Sequence, residues 1–349
     1  MADTFNYRID HHGSLVRPAA LLAARERAAR DGDTGPLREA ERAAVTEAVA
    51  FQRKLRSTVV TDGDVPREDF RGAVLDGVSG FRRTGEVTGG LARWVAESLP
   101  EADGPLLADW AALLGELTLI APKVTLPSPA YLAATCFDPS LAGSGGPASA
   151  RELGEALAEI VRAEIRLLVA RGVRLVQLTN PLLLARTATE PGDAGALSFE
   201  DALAVEALAL PPEERPEGVR IGVSPGFAAP ASVDRARAER MYAGVPADRW
   251  VLPFDQGTAA ELDLLRALPE DRDACLGAVD ATVPETEEID AVMVRIDAAA
   301  GIKDLEDMAL CPSRGFEDVA GRPLLSAVDQ NRKLVQVETL ARYCWGNEF

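Results

Sequence analysis

The sequence predicts an α/β protein: a single-domain (β/α)8 TIM barrel spanning residues 1–349, with a β-hairpin insertion after the second strand. Eight short apolar runs rich in β-branched residues recur along the chain, at residues 7–10, 58–61, 117–121, 174–178, 219–223, 250–254, 274–279 and 308–311. Most are followed by a longer stretch with helical spacing, the alternation that builds parallel sheets with helical crossovers. The length of 349 residues exceeds one ordinary core but lies within what a closed barrel fills as one unit.

Three stretches read as outer helices. Residues 35–56 place Leu37, Ala40, Ala44, Ala48, Phe51 and Leu55 three or four apart on one face. Residues 149–171 repeat the pattern through Leu153, Leu157, Ile160, Ile165 and Leu168, with Ser149 as N-cap and Gly172 as the stop. Residues 323–345 carry Leu334, Val337, Leu340 and Cys344 on the inner side and close the ring. Residues 72–90 are Gly-rich and alternate without helical period, which predicts the hairpin. Residues 139–150, with Gly143, Ser144, Gly145 and Gly146, form a loop that either connects freely or cradles an anion at the following helix.

Composition excludes several classes. Hydrophobic residues make up 47% and charged residues 26%, an ordinary globular balance. The net charge of −18 repels a phosphate backbone, so nucleic acid is not an expected partner. No stretch reaches the roughly 20 apolar residues of a membrane span, and the opening residues lack a basic start with an apolar run. A cytoplasmic protein is expected. Cys136, Cys275, Cys311 and Cys344 form no C-x-x-C pair and read as small buried side chains.

In a barrel the loops after the strands build the site. His11, His12, Gly13 and Ser14 follow the first expected strand, and Asp62 and Asp64 the second. Lys123 and Ser128 follow the third, and Gln177, Thr179 and Asn180 close the fourth. Ser224, Asp255, Asp280 and Arg314 follow the last four. Asp64, His11 and His12 are the candidate acids and bases, His because its imidazole titrates nearest neutrality. The others are candidate substrate contacts. Asp62, before Gly63, reads equally well as a turn residue. Hydrolase-elbow, dinucleotide, P-loop and zincin motifs are all missing from the sequence.

Asp10-His11-His12-Gly13-Ser14-Leu15-Val16-Arg17-Pro18 resembles the D-H-x-G-S-L-x-R-P opening of short bacterial proteins related to the catalytic domain of cobalamin-independent methionine synthase. Val60-Thr61-Asp62-Gly63-Asp64 is similar to their V-T-D-G-E, and Lys123-Val124-Thr125-Leu126-Pro127-Ser128-Pro129 to their K-x-T-L-P-S-P. Gln177, Gly277, Gly315-Phe316, Lys333-Leu334 and Trp345-Gly346 continue the match in order. The resemblance implies a barrel in which zinc, held by His, Cys, Glu and Cys, activates a thiol that accepts a methyl group. It also implies that Gly13-Ser14 binds a substrate carboxylate and Asp64 an ammonium. At the implied ligand positions, however, stand Gly222, Ser224, Pro253 and Arg314. Zinc needs three or four N, S or O donors.

The expected protein is therefore a zinc-independent, metal-free enzyme. It transfers or eliminates a small group on a carboxylate-bearing metabolite, whose anionic group docks on Arg314. Alternatives are methyl transfer to an acceptor needing no metal, a metal-free decarboxylase or lyase, and a non-catalytic binding protein. A folate-type methyl donor stays open with no residue speaking for it, and the sequence is silent on oligomeric state.

Overall fold

The computed structural model describes residues 7–88, 90–190 and 196–346. Among these, the strands are β1 (Val59–Val60), β2 (Phe81–Thr88), β3 (Leu91–Ala96), β4 (Ala121–Pro127), β5 (Leu175–Thr179), β6 (Arg220–Ser224), β7 (Arg249–Pro253), β8 (Asp273–Val279) and β9 (Met308–Pro312). The helices are α1 (Ala19–Asp31), α2 (Gly35–Lys54), α3 (Gly72–Leu75), α4 (Ala108–Leu117), α5 (Pro129–Cys136), α6 (Ala150–Ala170), α7 (Phe199–Ala209), α8 (Arg235–Gly244), α9 (Ala259–Ala267), α10 (Ile289–Ala300) and α11 (Ala327–Trp345).

Seven strands form one parallel sheet in the order β1-β4-β5-β6-β7-β8-β9, with helices in the crossovers. Parallel strands lose both faces to packing, so their sequences read as continuous apolar runs. Leu175–Thr179 and Arg249–Pro253 are accordingly buried at every position. The hairpin β2-β3 stands apart as its own antiparallel pair, Phe81 opposite Ala96. It begins later than expected, because residues 72–75 close a short helical turn first. Gly89, within the expected insertion, lies outside the described residues.

Two further expectations shift. The apolar run at 117–121 is not a strand: Leu117 ends α4 and the strand starts at Ala121. Short apolar runs do not separate helix from strand by period alone. The last helix starts at Ala327 rather than Pro323, where the Ser326 hydroxyl accepts from Asp329 N at 3.1 Å. The N-cap of α6 is Ser149 as expected, accepting from Glu152 N at 3.1 Å, and Gly172 follows at φ +92°. Its left-handed backbone suits glycine alone at little cost.

Residues 7–10 do not form a full ladder. Ile9 makes a single parallel bridge to Leu310, with Asp10 N donating to Leu310 O at 2.9 Å and Leu310 N to Arg8 O at 2.8 Å. Toward β1 a side chain replaces the rungs: the Thr58 hydroxyl accepts from Ile9 N at 3.0 Å and donates to Ile9 O at 2.9 Å. The segment is thus tied to both edge strands, but the eight-stranded ladder of the sequence reading is present as seven strands and one bridge.

Cys136, Cys275 and Cys311 are buried and Cys344 half-buried, all as free thiols. No described helix is long and apolar enough to cross a membrane.

Thr58→Val keeps the shape and strips both bonds from Ile9, whose side chain is 2% exposed. We expect a loss of about 1–3 kcal/mol in urea unfolding, the cost of orphaned backbone groups, whereas Thr58→Ser stays near wild type.

Candidate functional site

At the C-terminal ends of the strands lies a small open cleft. His12, Gly13, Ser14, Asp64 and Thr179 line it as the sequence suggests. So do Phe70, Thr125, Phe227 and Asp318, which the sequence reading did not assign to a site.

The acidic loop is built by backbone conformation. Gly63 and Asp64 both take left-handed φ, +66° and +56°. A Cβ on Gly63 would meet Leu15 at 2.9 Å, so this turn requires glycine. Asp62 Oδ1 accepts from Asp64 N at 3.0 Å, which is the turn role open to it. Arg67 Nη2 then donates to Asp62 Oδ1 and Oδ2 at 2.8 and 2.9 Å and to Asp64 Oδ1 at 2.7 Å. Thr125 Oγ1 also donates to Asp64 Oδ1, at 2.9 Å. The other oxygen, Oδ2, faces Gly13 across the cleft, 3.5 Å from where a Cβ there would lie. Asp62 is turned to Arg67 and is not a cleft residue.

Arg17 fixes this loop from behind. It is 3% exposed, and its guanidinium donates to Asp64 O and Arg67 O at 2.9 Å and to Glu317 O at 2.9 Å. Ser14 packs on the same loop after β9: its hydroxyl accepts from Glu317 N at 3.2 Å and its carbonyl from Phe316 N at 2.8 Å. A Cβ on Gly315 would fall 2.3 Å from Ser14 Oγ, so glycine there permits the contact.

The adjacent histidines part company. His11 Nε2 bonds Ser57 Oγ at 2.8 Å and the ring is outside the cleft. His12 faces it, with Nε2 3.1 Å from Ser224 Oγ, its ring 5.4 Å from that of Phe227, and its carbonyl accepting from Gln177 Nε2 at 3.0 Å. Burial pushes the His11 imidazole down to about 4 and that of His12 down to about 3. Both are neutral near pH 7. Gln177 and Ser224 therefore position His12 rather than line the cleft.

Several other expected contacts serve the scaffold. Lys123, 1% exposed, donates to Asp10 Oδ1 at 2.6 Å and His11 O at 2.7 Å, below the cleft rather than in it. Ser128 caps α5 and, with Asn180, bonds the buried carboxyl of Glu206, Asn180 Nδ2 donating to Oε1 at 2.7 Å. Asp255 accepts from Gln256 at 3.3 Å and Asp280 from the Thr282 hydroxyl at 2.6 Å, both outside the cleft. Arg314 pairs with Asp318 in the same loop and lies 4.8 Å over the Phe227 ring. Its acidic partner is thus Asp318 and neither Asp255 nor Asp280. The spacing Arg314 to Asp318, and Asp62 and Asp64 before Arg67, were the available signals for these pairs.

The residues at the implied zinc positions do not fit the metal. Gly222 and Pro253 offer no side-chain donor, the Ser224 hydroxyl is engaged by His12, and Arg314 is a cation matched by Asp318. Among the described residues no three His, Cys, Asp or Glu side chains gather as a metal site requires. The nearby Cys311 thiol is pushed well up by burial, away from the thiolate that binds metal.

Glu206 yields a pH test. Burial pushes its carboxyl up to about 7 from 4.5, against the lowering pull of Ser128 and Asn180. A raised acid favours folding below the unfolded value and loses that contribution as pH rises through the folded one. We expect native stability to fall between pH 4.5 and 7 by about 3 kcal/mol from this group. Urea titrations at pH 4 and 8 should show Glu206→Gln lacking that drop.

No protein-family model matches the chain. YxjH and YxjG of Bacillus subtilis (strain 168), both uncharacterized, are 27% and 25% identical, each over 97% of this chain and 95% of their own. A candidate vitamin-B12-independent methionine synthase from Listeria monocytogenes superposes with TM-score 0.75 at 22% identity, covering 98% of both chains. The B12-independent methionine synthase of Shewanella sp. W3-18-1, in complex with selenomethionine, superposes with TM-score 0.74 at 16% identity over 97% of both. A methyltransferase from Methanosarcina mazei follows at TM-score 0.55 and 11% identity. Over nearly its whole length this chain has the fold of the cobalamin-independent methionine synthase-like proteins.

Proposed function

We propose that the chain is a divergent enzyme of the cobalamin-independent methionine synthase-like family. It is built on one (β/α)8 barrel closed by residues 7–10, and it works without zinc. It transfers or eliminates a small group, methyl being the first to test, on a small amino-acid-like metabolite bound in the cleft. The observation that carries this is Asp64, whose Oδ1 is fixed by Arg67 and Thr125 while Oδ2 is left to the cleft. A carboxylate anchored on one side and open on the other is preorganised to take a cation or a proton. His12, held by Ser224 and Gln177, is the second candidate acid–base group, and as a neutral imidazole it both donates and accepts hydrogen bonds.

The anionic end of the ligand is assigned to Arg314, which does not itself line the cleft but stands over Phe227 and pairs with Asp318, both of which do, so that the ligand's anion takes the place of Asp318, with Gly13 and Ser14 adjoining. The selenomethionine in the Shewanella structure supports an amino-acid-like ligand. The net charge of −18 supports a small-molecule partner over nucleic acid. Methyl transfer is the first reaction to test because a methyltransferase shares the fold.

Calorimetric titration with methionine and related amino acids tests the assignment. Asp62→Asn and Asp64→Asn each remove the charge from one partner of the buried Arg67 and should lose comparable stability, about 1–3 kcal/mol. Only Asp64→Asn should also lose ligand affinity. Arg314→Lys, which keeps charge but not the fork, should weaken binding about tenfold. Equal binding by all three variants would sink the cleft assignment.

The metal-free reading is checked separately. Protein purified with added zinc and then desalted should carry far less than one zinc per chain by elemental analysis. Tightly held stoichiometric zinc would refute it.

A further inference from the structure

A second cavity, of about 340 Å³, opens at the N-terminal end of β6, between the last turns of α6, the end of α7 and the turn at Pro212–Glu214. Its wall is apolar, formed by Ile165, Val169, Leu210, Val219 and Ile221. Water in an apolar cavity finds few partners, so an apolar ligand body is the favoured filling.

The rim supplies the other half of a site. Arg162 and Arg166 stand one turn apart on α6 and both close on one carboxylate, that of Glu214. Arg162 Nε lies 3.2 Å and Arg166 Nε 2.7 Å from Glu214 Oε2, while the two Nη2 atoms share Oε1. Two planar forks thus converge on a single carboxylate, the geometry in which guanidinium recognises such groups. Glu159, 3.5 Å from Arg162, is exposed and not part of the cavity wall, and Arg215 inside is already matched by Asp248 at 2.6 Å. Two cations therefore share one carboxylate at the cavity mouth.

We propose that this cavity is a second ligand site, for a small monocarboxylate with an apolar body, whose carboxylate takes the two-arginine grip that Glu214 occupies. Glu214 is the internal competitor. It stands on a three-residue turn and is half-buried, so its carboxylate can yield without disturbing the sheet. The site shares no residue with the cleft and is independent of the function proposed for it.

Octanoate, with octanamide as its neutral counterpart, is titrated calorimetrically into the full chain. Octanoate should bind saturably at one per chain and octanamide about tenfold or more weaker. Glu214→Gln should bind octanoate several-fold tighter, and the double variant Arg162→Ala/Arg166→Ala should lose it. Ile165→Trp should block it by filling the wall. Asp64→Asn should bind like wild type, which separates this site from the cleft. No binding by either wild type or Glu214→Gln overturns the proposal. So does octanamide binding as well as octanoate, or octanoate binding that is indifferent to Ile165→Trp and to loss of both arginines.

Discussion

The cleft depends on one buried ion pair, Asp10 with Lys123, each side chain 1% exposed. Lys123 sits on β4 and reaches both the Asp10 carboxylate and the His11 carbonyl, while Arg249 on β7 stands 3.7 Å from the other Asp10 oxygen. Two cations on separated strands thus converge on the segment that precedes His12, Gly13 and Ser14. A buried pair of this kind adds little net stability, because desolvating both charges offsets their attraction. Its use is geometric: losing either partner strands a charge in the interior, so no alternative path for residues 8–14 is tolerated. Together with the bridge to β9 and the Thr58 bonds beside β1 that hold the same segment, that constraint fixes where the histidines and glycine arrive.

Above it, Arg17 does for the loops what Lys123 does for the first segment. Its guanidinium joins the carbonyls of Asp64, Arg67 and Glu317, so the acidic turn and the loop after β9 move as one body with Ser14. Arg67 then divides one cation between two aspartates. The consequence is an asymmetric carboxylate at Asp64, one oxygen spent on structure and one on the cleft. Such preorganisation is the ordinary requirement of a working site.

The implied metal positions show how charge can be rearranged within a retained fold. Where a zinc site would concentrate positive charge, this chain has Arg314 stacked on Phe227 and paired with Asp318, and a Ser224–His12 contact.

Much of this was legible in the sequence. Apolar runs and helical spacing gave the α/β alternation, most of the strands, the three outer helices and the hairpin, because burial on both faces and on one stripe leave distinct periods. The rule that the loops after the strands build a barrel's site picked out the residues at the strand ends. What the sequence could not decide was which strand-end polar groups face the cleft and which face each other. His11 and His12 are neighbours in sequence, yet only His12 lines the cleft; Asp62 and Asp64 differ in the same way. Lys123, Ser128 and Asn180 look like substrate contacts and are spent on Asp10 and Glu206, up to 113 residues away. Local sequence determines where a polar side chain leaves the sheet. Whether it meets a ligand depends on whether a distant partner already satisfies it, since a buried polar group must be paired, and only the tertiary structure brings those partners together.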